Sequence, residues 1–142
     1  MPLWDIHSAP NLFTTEEKQH IAKSLTPIYT SAGIPPFYVR VRFQENQPVN
    51  IYSGGESHDK LVLIQVWHLA RTMDSDDIKK RLLTAVDKVL TPIMEEKGLD
   101  WEYTVTESSR ELWKINGMYP PMPGTETEKA WFEANRPLKE KL

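Results

Sequence analysis

Two successive β-α-β units, forming a four-stranded, mainly parallel sheet with two helices on one face, are the architecture this sequence predicts. By class it is α/β, or α+β if counted by layers. Three observations carry that prediction. Two stretches with helical periodicity, after Thr14 and after Ser75, each lie between stretches that alternate or run apolar as strands do. Each helical stretch carries a late proline, Pro27 or Pro92, and a glycine stop, Gly33 or Gly98. Strand–helix–strand connections cross over right-handedly and give parallel pairs, so two such units side by side make one helix-covered sheet. The reading is a single domain over 1–142, with the first unit at 2–45, the second at 60–107, and a Pro-rich tail with a short helix at 108–142.

Pro2 to Ser8 reads as a strand, with Leu3, Asp5 and His7 alternating against Trp4 and Ile6. Thr14 and Glu17 form a capping-box signature, and Ile21, Leu25 and Ile28 or Tyr29 follow as an apolar stripe. Phe37 to Gln44 is the clearest strand, expected to carry Phe37, Val39, Val41 and Phe43 on one face and Tyr38, Arg40 and Arg42 on the other. Residues 49–52 suggest a short strand before the Gly54-Gly55 turn. Leu61 to Trp67 is nearly all apolar, as a central strand would be. Ser75-Asp76-Asp77 opens the second helix with acids suited to its N-terminal dipole, and Ile78, Leu82, Val86, Val89 or Leu90, and Ile93 make its stripe. Trp101 to Thr106 is the fourth strand, and Thr125 to Arg136 reads as a short terminal helix. Because the strands are apolar on more than one side, the uncovered sheet face is expected to meet further copies of the chain.

Composition narrows the function classes. The net charge is −3 and no dense Lys/Arg run occurs, so no nucleic-acid partner is expected. No apolar run reaches the ~18 residues of a membrane span. With no cysteine there is neither a disulfide nor a thiolate metal site. No signal-peptide pattern opens the chain, and the expected location is cytoplasmic. His7, His20, His58 and His68 lack metal-ligand spacing, and Gly54-Gly55 lacks the context of a phosphate loop, so neither metal nor cofactor is expected.

The candidate catalytic residue is Pro2. If Met1 is removed, the Pro2 nitrogen becomes a secondary amine. A free α-amino group has a pKa near ~8, and burial lowers it because desolvation disfavours the ammonium form. An amine brought towards ~7 is a competent general base, and the ring fixes the direction of its lone pair. Leu3 and Trp4 are placed to keep its surroundings dry.

Pro2, the paired β-α-β units, Phe43-Gln44-Glu45, the Gly54-Gly55 turn, Arg71 after the apolar strand, Trp101 with Tyr103, and Gly117 followed by Pro121-Met122-Pro123-Gly124 together resemble the tautomerase superfamily. Within it the chain is most similar to the cis-3-chloroacrylic acid dehalogenase-like group, over about residues 2 to 132. The resemblance implies a proline acid/base at Pro2, a carboxylate-binding arginine at Arg71 and an orienting tyrosine at Tyr103. Tyr29 stands where that group has a histidine and Asp74 where it has a second arginine. Its glutamate position falls at or beside Ile115 and Asn116, with Glu111 about one turn away. Arg40 and Arg42 share a strand face from which related tautomerases reach a neighbouring subunit's pocket, and Asn116 is a candidate hydrogen-bonding group.

The implied activity is cofactor-independent tautomerisation of small enol or 2-oxo carboxylic acids. Catalysis falls to Pro2 and Tyr103, and substrate binding to Arg71, Tyr29, Asn116, Arg40 and Arg42. A 3-haloacrylate dehalogenase or hydratase is the alternative within the family. A non-catalytic trimeric binding protein is the alternative outside enzymology. The resemblance also implies a homotrimer.

Overall fold

A computed structural model describes residues 1–139. The first strand, β1 (Pro2–Ser8), leads to helix α1 (Thr15–Thr30). The Thr14 hydroxyl accepts from the Glu17 N–H at 3.1 Å and the Glu17 carboxylate accepts from the Thr14 N–H at 2.8 Å, which satisfies two donors that the helix start leaves unpaired. Ile21, Leu25 and Tyr29 form the buried stripe.

Strand β2 (Arg40–Glu45) starts later than the alternation from Phe37 suggests. Pro35 and Pro36 have no N–H to offer a ladder, and the chain makes a 3-10 turn over Pro36–Tyr38 instead. Tyr38 is therefore wholly buried rather than outward-facing beside Arg40 and Arg42. It meets Phe37, Trp113 and Trp131 ring to ring at centroid distances of 4.9, 5.0 and 6.4 Å. The short strand expected at 49–52 reduces to a minimal hairpin, β3 (Tyr52–Ser53) with β4 (Glu56–Ser57), turning at Gly54 and Gly55 with φ of +58° and +87°.

Strand β5 (Leu61–His68) is one residue longer than the apolar run. Helix α2 (Asp76–Glu96) follows, capped by the Ser75 hydroxyl, which accepts from the Ile78 N–H at 3.3 Å. Val86, Leu90 and Met94 are its buried stripe, whereas Ile78 is 42% exposed at its first turn. After Gly98 come β6 (Asp100–Glu107) and, beyond the Pro-rich loop, α3 (Glu126–Ala134).

The sheet order is β2-β1-β5-β6, parallel between β1 and β2 and between β5 and β6, and antiparallel at its centre between β1 and β5. Trp4, Ile6, Val62, Ile64 and Val66 face the two long helices and are at most 2% exposed. The opposite face is less apolar than expected. Leu3, Leu63 and Trp67 are half-buried there, but Asp5 lies among them and accepts from Arg42 Nε at 2.9 Å and Nη2 at 2.8 Å. A carboxylate at 4% exposure needs such a partner, and Gln44 Nε2 adds a third bond at 3.2 Å.

The antiparallel centre has one consequence for function. It sets the start of β1 against the end of β5, so Pro2 pairs with His68. The C-terminus of α1 and the first turns of α2 arrive at the same end of the sheet.

Candidate active site

A hollow of about 400 Å³ opens at that end. Tyr29, Ile28, Ala32 and Ile34 line it from α1 and the turn after it, His68 from β5, Arg71 and Met73 from the following loop, and Ile78, Arg81 and Leu82 from α2. Its size and mainly apolar lining with a few polar groups are those of a small-molecule site. A roomier hollow, about 550 Å³, lies under the tail between Met118, Met122 and Trp131, but none of the residues of the Pro2 end lines it.

Pro2 is wholly buried and pairs with His68, which lines the hollow. Met1 continues past it, and its carbonyl accepts from the N–H groups of Leu69 at 3.3 Å and Ala70 at 3.1 Å. With Met1 in place the Pro2 nitrogen is a tertiary amide and carries no basic lone pair. The Met1 amine reports on the surroundings: burial first, then Arg40 and Arg110, push it from an ordinary 8.0 down to about 4.

Tyr29 is the residue of α1 that reaches the hollow and the core together. Its hydroxyl accepts from Trp4 Nε1 at 3.0 Å, which leaves its own proton to donate, and burial raises its pKa so that it stays a phenol. Arg71 lines the same hollow, but its fork is already occupied. Nη1 and Nη2 donate to the two carboxylate oxygens of Glu128, at 2.8 and 3.1 Å, and also to the carbonyls of Ala70 and Ala32. Glu128 is 3% exposed on α3 and takes a further bond from the Gly124 N–H at 2.8 Å, so the pair clasps the tail to the loop after β5. Arg71 is thus largely neutralised, and the clamp expected from the sequence is not a free one. Arg81, on the opposite wall, forms no ion pair among the described residues.

Other expected site residues lie elsewhere in the chain. Tyr103 is four residues along β6 from Glu107, the partner of His68, which is roughly 13 Å at the usual strand rise. Its hydroxyl donates to Asp87 at 2.8 Å, and it lines an adjoining hollow with Leu83 and Lys79, which shares Met73 and Leu82 with the first. Burial and Asp87 together raise its pKa. Arg42 is committed to Asp5. Arg40 is exposed beside Leu3 on the open sheet face and influences the N-terminus through its charge alone. Asn116 is exposed in the tight turn between Ile115 and Met118, at φ +50°, with Gly117 at +80°. Of the two residues at or beside which the resemblance puts the dehalogenase-like group's glutamate, Ile115 is buried in the core and Asn116 is exposed.

Residues 1–136 match the tautomerase family model described as "Putative oxalocrotonate tautomerase enzyme". The chain belongs to this tautomerase family. A solved structure described as a probable enzyme from the thermophilic fungus Aspergillus fumigatus is 48% identical, with 98% of this chain and 97% of that chain covered and a TM-score of 0.93. A mutant of RhCC from Rhodococcus jostii RHA1 is 33% identical, with 99% and 93% covered and a TM-score of 0.95. A member of the cis-3-chloroacrylic acid dehalogenase family shares the fold at 22% identity and a TM-score of 0.75, with 94% and 98% covered. Among curated proteins, none matches the chain.

Four residues in or around this candidate site are not singled out by the sequence. His68 lacks metal-ligand spacing, yet it continues the buried alternation Val62, Ile64, Val66, and a polar residue in that series is a signal. Arg81 follows the helical spacing from Ile78 and was hidden by its ordinary charge. Glu128 and Arg110 gave no sequence signal, because their partners lie 57 residues away at Arg71 and, for Arg110, in the carbonyls of Pro120 and Pro121.

Proposed function

We propose that the protein is a cofactor-independent tautomerase of small enol or 2-oxo carboxylic acids, run by Pro2 as acid/base once Met1 is removed. The observation that carries this reading is the placement of Pro2: wholly buried and opposite His68, which lines the hollow together with Arg71 and Arg81. Removing Met1 turns the Pro2 nitrogen into a secondary amine. The burial and the Arg40 and Arg110 charges that depress the Met1 amine disfavour the Pro2 ammonium in the same way.

In this reading the neutral amine takes the proton of the enol hydroxyl. The oxygen electron pair closes the C=O, the C=C pair takes up a proton from the prolinium at carbon, and the amine is restored. Nothing is oxidised or reduced. The N–H groups of Leu69 and Ala70, relieved of the Met1 carbonyl, become donors beside the reacting atoms. Arg81, with whatever charge Glu128 leaves on Arg71, attracts the carboxylate.

A dehalogenase reading draws on the fold shared with the chloroacrylic acid dehalogenase family member. It is disfavoured because water must then be activated by a carboxylate. Among the described residues no carboxylate lines the hollow, and Glu128, which reaches its Arg71 from α3, is held by Arg71 and by the Gly124 N–H. The test is side-by-side turnover of phenylpyruvate enol, 2-hydroxymuconate and cis-3-chloroacrylate by protein beginning at Pro2 and by protein retaining Met1. Enol turnover well above chloride release, confined to the Pro2 form, is expected. Equal rates in both forms remove Pro2 from the mechanism.

The same reading includes a homotrimer. Half-buried Leu3, Leu63 and Trp67 on the open sheet face support it, and fused 4-OT proteins of this fold are described as trimers. Sedimentation at micromolar concentration should give three times the 16.5 kDa chain mass. A single-chain mass refutes the trimer.

A further inference from the structure

We propose that His68 is the catalytic residue that hydrogen-bonds the substrate oxygen, the role the resemblance gave to Tyr103; this rests on the Pro2 reading. His68 is 4% exposed, and both ring nitrogens are buried with no hydrogen-bond partner among the described residues. Almost every buried polar side chain in a folded protein has one, and the imidazole offers both a donor and an acceptor. Among the described residues Tyr38 also has such an orphan, but Tyr38 does not line the hollow at the Pro2 end, whereas His68 does. The ring lies between two fixed neighbours. Pro2 is its partner across the β1–β5 ladder, and Tyr29 faces it at a ring-centroid distance of 6.2 Å.

Chemistry follows from the placement. Burial lowers the pKa of His68, and the N-terminal nitrogen and Arg71 act in the same direction. Glu107 opposes them, as does the nearby backbone of Arg71, which does not reach hydrogen-bond geometry with the ring. The neutral ring therefore holds one N–H and one lone pair. As Pro2 removes the enol proton, negative charge develops on the oxygen, and a preorganised neutral N–H beside it stabilises that charge without giving up its proton. No atom moves to or from His68, so the balance of the Pro2 step is unchanged. The Tyr103 hydroxyl is already bonded to Asp87, in an adjoining hollow that meets the first at Met73 and Leu82.

The experiment has two arms on the full chain beginning at Pro2. His68→Phe keeps a ring of similar size and removes both nitrogens. Folded as judged by thermal unfolding, it should lose about 10²- to 10³-fold in kcat for phenylpyruvate enol, with KM changed little. Unchanged kcat overturns the proposal. In the second arm, wild-type protein with ¹⁵N-labelled histidine is saturated with phenylpyruvate, and the His68 ring nitrogens should shift as one gains a partner. Unmoved resonances at saturation overturn the proposal even if His68→Phe fails to fold. A shift without any turnover in the wild type upholds the contact and sinks the tautomerase reading instead.

Discussion

The two ends of the sheet are built from equivalent parts and behave differently. At each end one long helix finishes, the other begins, and a β1 or β5 terminus meets its partner. At the far end, where β1 leaves and β5 enters, polar groups find each other. Lys97 meets Glu17 at 2.9 Å and lies 5.9 Å from the Phe13 ring centroid, while Lys18 meets Glu45 at 3.1 Å and lies 5.7 Å from that of Phe43. Backbone bonding to Thr14 and then Lys97 hold Glu17 below the usual carboxylate range. At the Pro2 end His68 has no partner and Arg81 has no counter-ion among the described residues, and a hollow stands where the far end is closed by lysine stems. The topology supplies two candidate ends; unsatisfied polar groups select one. The far end also has no prospect of a free amine, because β5 begins in mid-chain after Lys60.

Changes at the two ends should therefore separate cleanly. The largest effect should come from the N-terminus: one residue left before Pro2 removes the base and should cost on the order of 10²- to 10⁴-fold in kcat. In the Pro2 form the rate should climb with pH through an apparent pKa below ~8 and be lost as pH falls and the ammonium forms, which a profile from pH 5 to 9 would show. A pKa at or above that of a free α-amine contradicts the burial argument.

Glu128→Ala comes next. It strips a mostly buried cation of its partner and unclasps α3, for a cost on the order of 3 kcal/mol, at the low end for buried pairs because Arg71 is 23% exposed. Urea unfolding measures it, and a loss under ~1 kcal/mol would mean that the clasp contributes no more than an exposed pair. Arg81→Ala should raise KM roughly tenfold with kcat nearly unchanged, the loss of one charge-assisted contact; an unaltered KM places the carboxylate elsewhere. The smallest effect belongs to the far end. Lys97→Met breaks a pair whose side chains are 26% and 34% exposed and should cost less than ~1 kcal/mol, leaving turnover intact. Lost activity there would show that the two ends are coupled.

The sequence by itself determined the elements and their order, because local chemistry suffices for them. The Thr14–Glu17 box and Ser75 start the helices, alternation marks the strands, and Pro2 carries its chemistry in its ring. The left-handed turns at Gly54-Gly55 and Asn116-Gly117 are likewise local, needing residues that tolerate positive φ. Only the tertiary structure decided which residues share a site. The parallel-antiparallel-parallel order of the sheet brings Pro2 to His68 across 66 positions of chain. The docking of α3 sets Glu128 on Arg71, turning an expected substrate clamp into a clasp. The consecutive prolines before β2 move Tyr38 into the core, and strand distance removes Tyr103 from Pro2. Residue type and local spacing describe what a side chain can do. Whether its hydrogen bonds and charges are already spent depends on neighbours from distant parts of the chain, and only packing brings those together.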